Sequence, residues 1–205
     1  MIVSFACKET ERIFHGHRSL ALAQDMQQVA RRKLKYLHEA RTLDDLRSPP
    51  GNRLEQLKGT RKGQHSIRVN DQWRICFRWM EKNAEAVQIV DYHQKQSEKT
   101  NTNMKKNMRL APVHPGDVLR EDFLIPLGLS AYRAAKDLCV EPIAITSICK
   151  GERSVSALMA LKLGRYFKTS PEIWTGLQAQ YDLEVTSRQL SAKVLRIHPC
   201  AALAA

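Results

Sequence analysis

The sequence lacks the cysteine spacing of a metal site or a disulfide framework. Its five cysteines are scattered and odd in number, and no Cys-x-x-Cys pair occurs. We therefore expect reduced, mostly buried thiols of the kind found in reducing compartments. The sequence predicts no metal and no other cofactor.

Long apolar runs are missing as well. No run approaches the roughly 20 residues that cross a bilayer as a helix. The first ten residues become charged before the core of a signal peptide could form. These absences predict a cytoplasmic protein without a membrane partner.

Acidic residues are outnumbered by basic ones. The 205 residues include 33 Lys and Arg but 21 Asp and Glu, a net charge of +12 at pH 7. Residues 1–93 hold 17 basic and 11 acidic side chains (+6), residues 94–111 hold 5 and 1 (+4), and residues 112–205 hold 11 and 9 (+2). Because Lys and Arg release counterions when they contact phosphates, this excess favours a nucleic-acid partner. A basic, soluble surface is the alternative.

The chain is long enough for two small domains, and a hydrophobic content of 43% supports a core in each. We predict a first domain at residues 1–93, a linker at 94–111 and a second domain at 112–205. The linker is polar and basic and has neither helical nor strand periodicity. As a flexible coil it would span roughly 25 Å.

The first domain has an α+β pattern. Residues 2–6 suit a short strand, and apolar residues at three- and four-residue spacing predict an amphipathic helix over Leu20–Ala40. Alternating β-branched and aromatic residues then predict an antiparallel meander. Its strands are expected at His65–Val69, Trp73–Trp79 and Val87–His93, with a tight Asn70-Asp71 turn. Helices packed on a small antiparallel sheet are the expected fold.

The second domain is predicted to be all-α, with five helices. The first ends near Pro126, and Ser130 is placed to cap the second. Pro142 suits the first turn of the third helix, which Gly151 would end. The last two are expected at Ser156–Phe167 and Pro171–Leu183.

The second and third helices have the pattern of a helix-turn-helix. Ala134 and Ala135 permit a close helix crossing, and residues 139–142 supply the turn. The third helix would lie in a DNA major groove with its exposed side chains facing bases and phosphates. The predicted DNA-binding residues are Ser130, Tyr132, Ile143, Ala144, Thr146, Ser147, Lys150 and Arg153. A helical bundle without a DNA role is the alternative.

The strands of the first domain carry side chains suited to RNA cleavage without a metal. Such a reaction needs a base for the ribose 2′-OH, cations for the charge on phosphorus and an acid for the leaving oxygen. Arg68 and Arg74 flank the Asn70-Asp71 turn, so they are expected on one face of the sheet. Exposed strand arginines and a surface histidine are the ordinary alternative. The candidate set is Lys58, Arg68, Arg74, Tyr92 and His93, with His65 and Arg53 near it.

Residues 114–184, from His-Pro-Gly-Asp-Val-Leu-Arg-Glu-Asp-Phe-Leu to Leu-Gln-Ala-Gln-Tyr-Asp-Leu-Glu, resemble HigA-type antitoxins of the XRE helix-turn-helix class. The resemblance implies a dimer that binds a palindromic operator and represses its own operon. That family often has Arg where this chain has Ala144, which implies a difference in operator affinity or in sequence preference.

Residues 1–93 resemble the HigB branch of the RelE/ParE superfamily, which includes ribosome-dependent mRNA interferases. The matching motifs are Leu57-Lys58-Gly59, Gly63-Gln64-His65-Ser66-Ile67, Trp73-Arg74-Ile75 and Asp91-Tyr92-His93. The resemblance implies that Lys58 and Arg74 stabilise phosphate charge, with a weaker implication for Arg68. It also implies that His93 transfers protons, Asp91 orients His93, and Tyr92 orients the base or the substrate.

Together these patterns predict a toxin–antitoxin module in one chain. Its partners would be mRNA on the ribosome, operator DNA, the other domain (in cis or in trans) and a second copy through the antitoxin domain. The endonuclease would be inhibited in the intact chain. Two alternatives stay open: a helix-turn-helix repressor with a degenerate RelE-like domain that only docks or dimerises, and a ParE-like gyrase poison.

Overall fold

The computed structural model describes residues 1–92, 109–194, 196 and 197. The predicted catalytic residue His93 and residues 94–108 of the predicted linker therefore lie outside the described residues.

Three helices open the chain. They are α1 (Lys8–Phe14), α2 (Gln24–Glu39) and α3 (Leu43–Arg47). The amphipathic helix predicted over Leu20–Ala40 is confirmed as α2, and its apolar stripe is buried. Thr42 begins α3 by accepting the Asp45 N–H, while the Asp45 carboxylate accepts the Thr42 N–H in return. The sequence patterns did not predict α1 or α3.

A four-stranded antiparallel sheet follows in the order β1-β2-β3-β4, which confirms the predicted meander. The Asn70 side-chain oxygen accepts the backbone N–H of Trp73 at 2.8 Å and so closes the predicted turn. Residues 2–6 do not form a full strand: only isolated parallel bridges join Ile2 and Phe5 to the last strand. The strands are β1 (Glu55–Gln56), β2 (Gln64–Arg68), β3 (Trp73–Met80) and β4 (Asn83–Asp91).

The C-terminal half is helical, as predicted. Its first helix, α4 (Pro115–Val118), continues directly as a π-helical segment at Leu119–Leu124. The last helix is eleven residues longer than predicted, because it runs on to Val194. The helices after the π-helical segment are α5 (Ala131–Asp137), α6 (Pro142–Cys149), α7 (Ala157–Phe167) and α8 (Pro171–Val194). Within the described part of the chain, no helix has the length and apolar character to span a bilayer.

The two halves share one hydrophobic core. The Tyr36 ring of α2 lies 6.1 Å from the Phe123 ring, which in turn lies 4.6 Å from Phe167 and 5.4 Å from Trp174. Leu110, assigned to the linker from the sequence, is buried and donates its N–H to the Gly16 carbonyl at 2.8 Å. The C-terminal half therefore packs directly on the helices of the N-terminal half.

Candidate nucleic-acid sites

A groove of about 370 Å³ opens on the sheet of the N-terminal half. Three of the six predicted catalytic residues, Lys58, Asp91 and Tyr92, line it together. The Lys58 side chain is exposed, and the Tyr92 ring is 57% exposed. The remaining lining residues are Leu57, Thr60, Arg61, Cys76 and Val90.

The predicted pair of strand arginines lies beside this groove. Arg68 and Arg74 are directly opposite each other in the β2–β3 register, so they share a face of the sheet. The Arg74 guanidinium lies 5.5 Å from the centre of the Tyr92 ring, and Tyr92 lines the groove. Arg68 forms an ion pair with Asp71.

Arg74 is held rigidly. It is buried, its Nε donates to Ser66 Oγ at 2.9 Å, and its Nη2 donates to the Arg53 carbonyl at 2.8 Å. Arg53 thus holds the Arg74 side chain through its backbone carbonyl, and its own backbone is in a left-handed conformation with φ of 43°. A cation fixed in this way needs little reorganisation when it meets a phosphate.

Sequence reasoning missed one member of the site, Glu55. Its carboxylate lies 3.3 Å from Arg74 Nη2, and its side chain is about half exposed. Glu55 belongs to β1, which is only two residues long and therefore shows no periodicity. The sequence signal that could have identified Glu55 is its position three residues before Lys58, in the segment that leads into the groove.

Two other side chains of the sheet, His65 and Cys76, are packed against their neighbours. His65 lies on the opposite face of β2 from Ser66, and its ring stacks on the Phe77 ring with the ring centres 6.0 Å apart. Burial lowers the pKa of His65, which favours the neutral imidazole. Burial also raises the pKa of the Cys76 thiol, although Arg61 donates to its sulfur at 3.4 Å and opposes that shift.

The groove combines cations, a carboxylate and an exposed aromatic ring. Asp91 accepts a hydrogen bond from Gln72 Nε2 at 2.7 Å, and its predicted partner His93 lies outside the described residues. Among the described residues, no three His, Cys, Asp or Glu side chains gather in a way that could hold a metal ion. The arrangement can bind a phosphodiester and stack a base.

The C-terminal half has the helix-turn-helix geometry that the sequence predicts. Ala134 and Ala135 are fully buried where α5 meets α6. The turn between the helices uses Cys139 in a left-handed conformation with φ of 52°. Ser130 is the N-cap of α5, and its hydroxyl accepts the Arg133 N–H at 3.1 Å.

The exposure of the predicted DNA-binding side chains differs along α6. Ile143 of α6 is 66% exposed, and Tyr132 of the preceding α5 is 67% exposed. Lys150 and Arg153, at and beyond the end of α6, are also exposed. Ala144 is only 4% exposed, although it lines a groove of about 520 Å³ beside α6, and its contact with DNA stays a prediction. It lies four residues before the buried Ile148 and shares the inward face of the helix.

Thr146 and Ser147 occupy an intermediate position on α6. Both are half-buried, and the Thr146 hydroxyl donates to the Pro142 carbonyl at 3.0 Å. Their hydroxyls lie at the edge of the exposed face.

A second groove, of about 520 Å³, adjoins α6. Three cations, Lys136, Arg153 and Lys162, line it with one acid, Glu141. Lys162 is fixed by donating to the Cys139 carbonyl at 2.9 Å, within the helix-turn-helix turn. Lys136 and Lys162 were not predicted, and they belong to α5 and α7, the helices that precede and follow α6 in the chain. Cations in this position suit the phosphates that flank a major groove.

Comparison with known proteins gives a match for the first half and for the second. Residues 3–93 match the RelE-like toxins of the type II toxin–antitoxin system HigB. Toxin HigB-1 of Vibrio cholerae is 39% identical over 82 residues, which are 40% of this chain and 86% of the toxin. Virulence-associated protein I of Dichelobacter nodosus is 42% identical over 76 residues, 37% of this chain and 70% of that protein.

Among solved structures, Pseudomonas aeruginosa antitoxin HigA with the higBA promoter is 36% identical. The match covers 43% of this chain and 98% of the antitoxin, with a TM-score of 0.42. The α+β half thus places the protein in the class of RelE-like toxins of type II toxin–antitoxin systems, and a helix-turn-helix half follows it in the same chain. Through residues 3–93 the chain belongs to the HigB-like toxin family.

Proposed function

We propose that the N-terminal half is a metal-independent, ribosome-dependent mRNA endonuclease and that the C-terminal half inhibits it in the intact chain. The C-terminal half also binds operator DNA as a dimer and represses its own operon. One observation carries the enzymatic part: an exposed lysine, a carboxylate (Asp91) and an exposed tyrosine line one open groove, and the buried Arg74 lies beside that tyrosine.

The proposed reaction is attack by the ribose 2′ oxygen on the adjacent phosphorus. A base takes the 2′-OH proton, the new P–O bond forms, and the 5′ oxygen leaves with a proton from an acid. Arg74 and Lys58 stabilise the added charge on the phosphate oxygens. His93 and the Glu55 carboxylate are the proton-transfer candidates, Asp91 orients His93, and the Tyr92 ring stacks on a base. Arg68, paired with Asp71, extends the cationic surface.

In this proposal, the C-terminal half inhibits the toxin by blocking its access to the ribosome. The C-terminal half packs on α2 and α3, whereas the groove opens on the sheet. Lys58 and Tyr92 stay exposed beside the packed antitoxin region. A bulky helical domain on one side of a small toxin excludes the toxin from a confined site on the ribosome while leaving the groove open.

Growth after induced expression of residues 1–93 tests the enzymatic part. The expected result is arrest by this fragment, no arrest by the full chain, and loss of arrest in the fragment with His93→Ala. A soluble, folded fragment that leaves growth and mRNA intact would contradict the endonuclease and favour the repressor with a docking domain. Arrest with damaged DNA and intact mRNA would indicate a gyrase poison instead.

Binding to duplex DNA from upstream of the coding sequence tests the repressor part. Lys150→Ala is expected to weaken binding on all sequences and to reduce the slope of log affinity against log salt by about 1, because one phosphate contact is lost. Arg165→Ala removes an exposed cation of α7 that lines neither groove, and it is the control. Equal salt slopes for Lys150→Ala and the unmodified chain would contradict the assigned DNA contact.

A further inference from the structure

Two cations, Lys58 and Arg61, line the groove on the sheet, and both are exposed. The guanidinium of Arg74 does not line it. That group is buried and already has three partners: a hydroxyl, a backbone carbonyl and the Glu55 carboxylate. Arg61 is therefore the guanidinium that a ligand in the groove can contact directly.

The local backbone places Lys58 and Arg61 on the same side of a turn. One turn of 3₁₀ helix, Gly59–Arg61, begins directly after Lys58, and the Lys62 N–H closes it by donating to the Gly59 carbonyl at 3.1 Å. Side chains three residues apart eclipse in this geometry, which agrees with the position of both cations at the groove. Lys62, one residue further along, is exposed but does not line the groove.

One contact orients the Arg61 guanidinium. Its Nη1 donates to the Cys76 sulfur at 3.4 Å, and Cys76 is a buried residue of β3 that also lines the groove. Burial raises the pKa of the Cys76 thiol, which favours the uncharged form. Because a thiol sulfur is a weak acceptor, this contact positions the guanidinium and uses only one of its five N–H groups.

The charge of Arg61 is not neutralised by an acid. Among the described residues, no Asp or Glu carboxylate forms an ion pair with Arg61. Together with Lys58 it gives the groove two cations against one acid, Asp91. A guanidinium that is oriented but unpaired is available to an anionic ligand.

We infer that Arg61 binds the two non-bridging oxygens of an RNA phosphodiester in the groove. A planar guanidinium presents paired N–H donors that match two phosphate oxygens, whereas the Lys58 ammonium is a point charge. Arg61 thereby fixes the orientation of the phosphate, and Lys58 adds charge beside it. The inference rests on the proposed function, because it takes the ligand of the groove to be RNA.

A short RNA that cannot be cleaved tests the inference on the full chain, in which the groove is open. The probe is a trinucleotide with 2′-O-methyl riboses, so no 2′-OH can attack phosphorus. Arg61→Ala is expected to weaken its binding at least about 10-fold, because charge-assisted hydrogen bonds are lost. Equal binding by Arg61→Ala and the unmodified chain, or no binding by the unmodified chain at about millimolar concentration, would overturn the inference.

Lys62→Ala is the matched control, because it removes the adjacent exposed cation outside the groove. Its binding of the probe should stay within about 2-fold of that of the unmodified chain at physiological ionic strength, which screens cations that do not touch the ligand. A loss equal to that of Arg61→Ala would show that general attraction, rather than a placed guanidinium, holds the RNA.

A conservative variant separates geometry from charge. Arg61→Lys keeps the charge but loses the paired donors, so it should still weaken binding at least about 5-fold. Because Arg61 is exposed, Arg61→Lys and Arg61→Ala should unfold at nearly the same denaturant concentration as the unmodified chain, which excludes misfolding as the cause. Full binding by Arg61→Lys would contradict the bidentate contact.

Sulfur substitution in the probe tests the contact at single atoms. Replacing one non-bridging oxygen by sulfur provides a weaker acceptor, so at one of the two phosphates it should weaken binding to the unmodified chain roughly 3- to 10-fold. The same substitution should change binding to Arg61→Ala less than about 2-fold, because the atom has already lost its partner. Equal sulfur effects in the two proteins would refute the assigned contact.

The outcome is distinguishable from that of the proposed function, because binding is measured without cleavage. RNA binding that depends on Arg61, together with a folded residue 1–93 fragment that leaves growth and mRNA intact, would refute the endonuclease and leave the RNA contact standing. Growth arrest and mRNA cleavage by that fragment, together with unchanged probe binding by Arg61→Ala, would refute the contact and leave the endonuclease.

Discussion

The helical face and the sheet face of the N-terminal half both carry cations, but those cations have different partners. On the helical face, Arg31, Arg32 and Lys33 are largely buried, and each is paired with a carboxylate from the C-terminal half. On the sheet face, Lys58 is exposed at the groove, and Arg74 is paired with the half-exposed Glu55. Charges that are fully paired stabilise an association, whereas charges at an open groove are available to a polyanion.

The cations of the two faces therefore have different roles. A carboxylate that is desolvated between two cations gives specificity and costs several kcal/mol when one partner is removed. A cation at the surface contributes little to stability but raises the local concentration of phosphate and stabilises charge that forms during a reaction. Substitutions on the two faces should therefore change different quantities.

The largest change in stability is expected on the helical face. Glu184→Ala should lower the free energy of unfolding of the intact chain by about 3 kcal/mol, because Arg31 is buried and loses its bidentate partner. Glu172→Ala, an exposed acid in the first turn of the same helix, should cost less than about 1 kcal/mol. Chemical denaturation of the intact chain measures both. Equal costs would show that the helical-face charges are no more specific than surface charges.

On the sheet face the expected change is in activity. Lys58→Ala in the residue 1–93 fragment should reduce mRNA cleavage roughly 100-fold, because a cation next to the scissile phosphate is lost. Its free energy of unfolding should change by less than about 0.5 kcal/mol, since the side chain is exposed.

Lys62→Ala is the matched control for Lys58→Ala. Lys62 is also exposed, lies four residues further along and does not line the groove. Cleavage by Lys62→Ala should stay within about 2-fold of the unmodified fragment. If both variants lose activity equally, general charge attraction rather than a placed cation would explain the sheet face.

The sequence predicts the regular parts of the fold well. The apolar stripe of α2 and the alternation in β2 and β3 are long enough to show their periods, and the structure confirms both. The 7-residue α1 and the 5-residue α3 are too short for a clear period, although the capping pair Thr42 and Asp45 marked the start of α3.

The candidate sites were predicted in part. Arg68 and Arg74 come together because a tight turn fixes the register of their strands, a feature that sequence can show. Ala144 was predicted to contact DNA, but its side chain is nearly buried, as its spacing from the buried Ile148 indicates.

The burial of the helical-face cations could not be predicted. Arg31, Arg32 and Lys33 are charged residues between the apolar positions of α2, and such residues are normally in solvent. Their partners Asp122 and Glu184 lie far along the chain, so only tertiary packing reveals the pairs. From the sequence alone, a cluster of charged residues on a helix therefore indicates a solvated surface.

The smallest expected effect concerns a residue of α2 that packs against the N-terminal segment and α1. His38 Nδ1 accepts the Ile2 N–H at 3.3 Å, and its ring lies 5.2 Å from the Phe14 ring. Burial lowers the pKa of His38 from 6.5 to about 4, and the N-terminal ammonium, Lys35 and Arg41 add to that shift.

Because the unfolded chain binds this proton first, His38 contributes stability above pH 6.5 and loses that contribution as the pH falls towards 4. His38→Gln keeps a hydrogen-bond acceptor but does not titrate. Between pH 7 and 4 the unmodified chain should therefore lose about 1 to 2 kcal/mol more of its unfolding free energy than this variant, after allowance for solvent screening at a half-buried position. His17→Gln, an exposed control, should follow the unmodified chain. Equal losses for His38→Gln and the unmodified chain between pH 7 and 4 would show that His38 does not carry this sensitivity to acid.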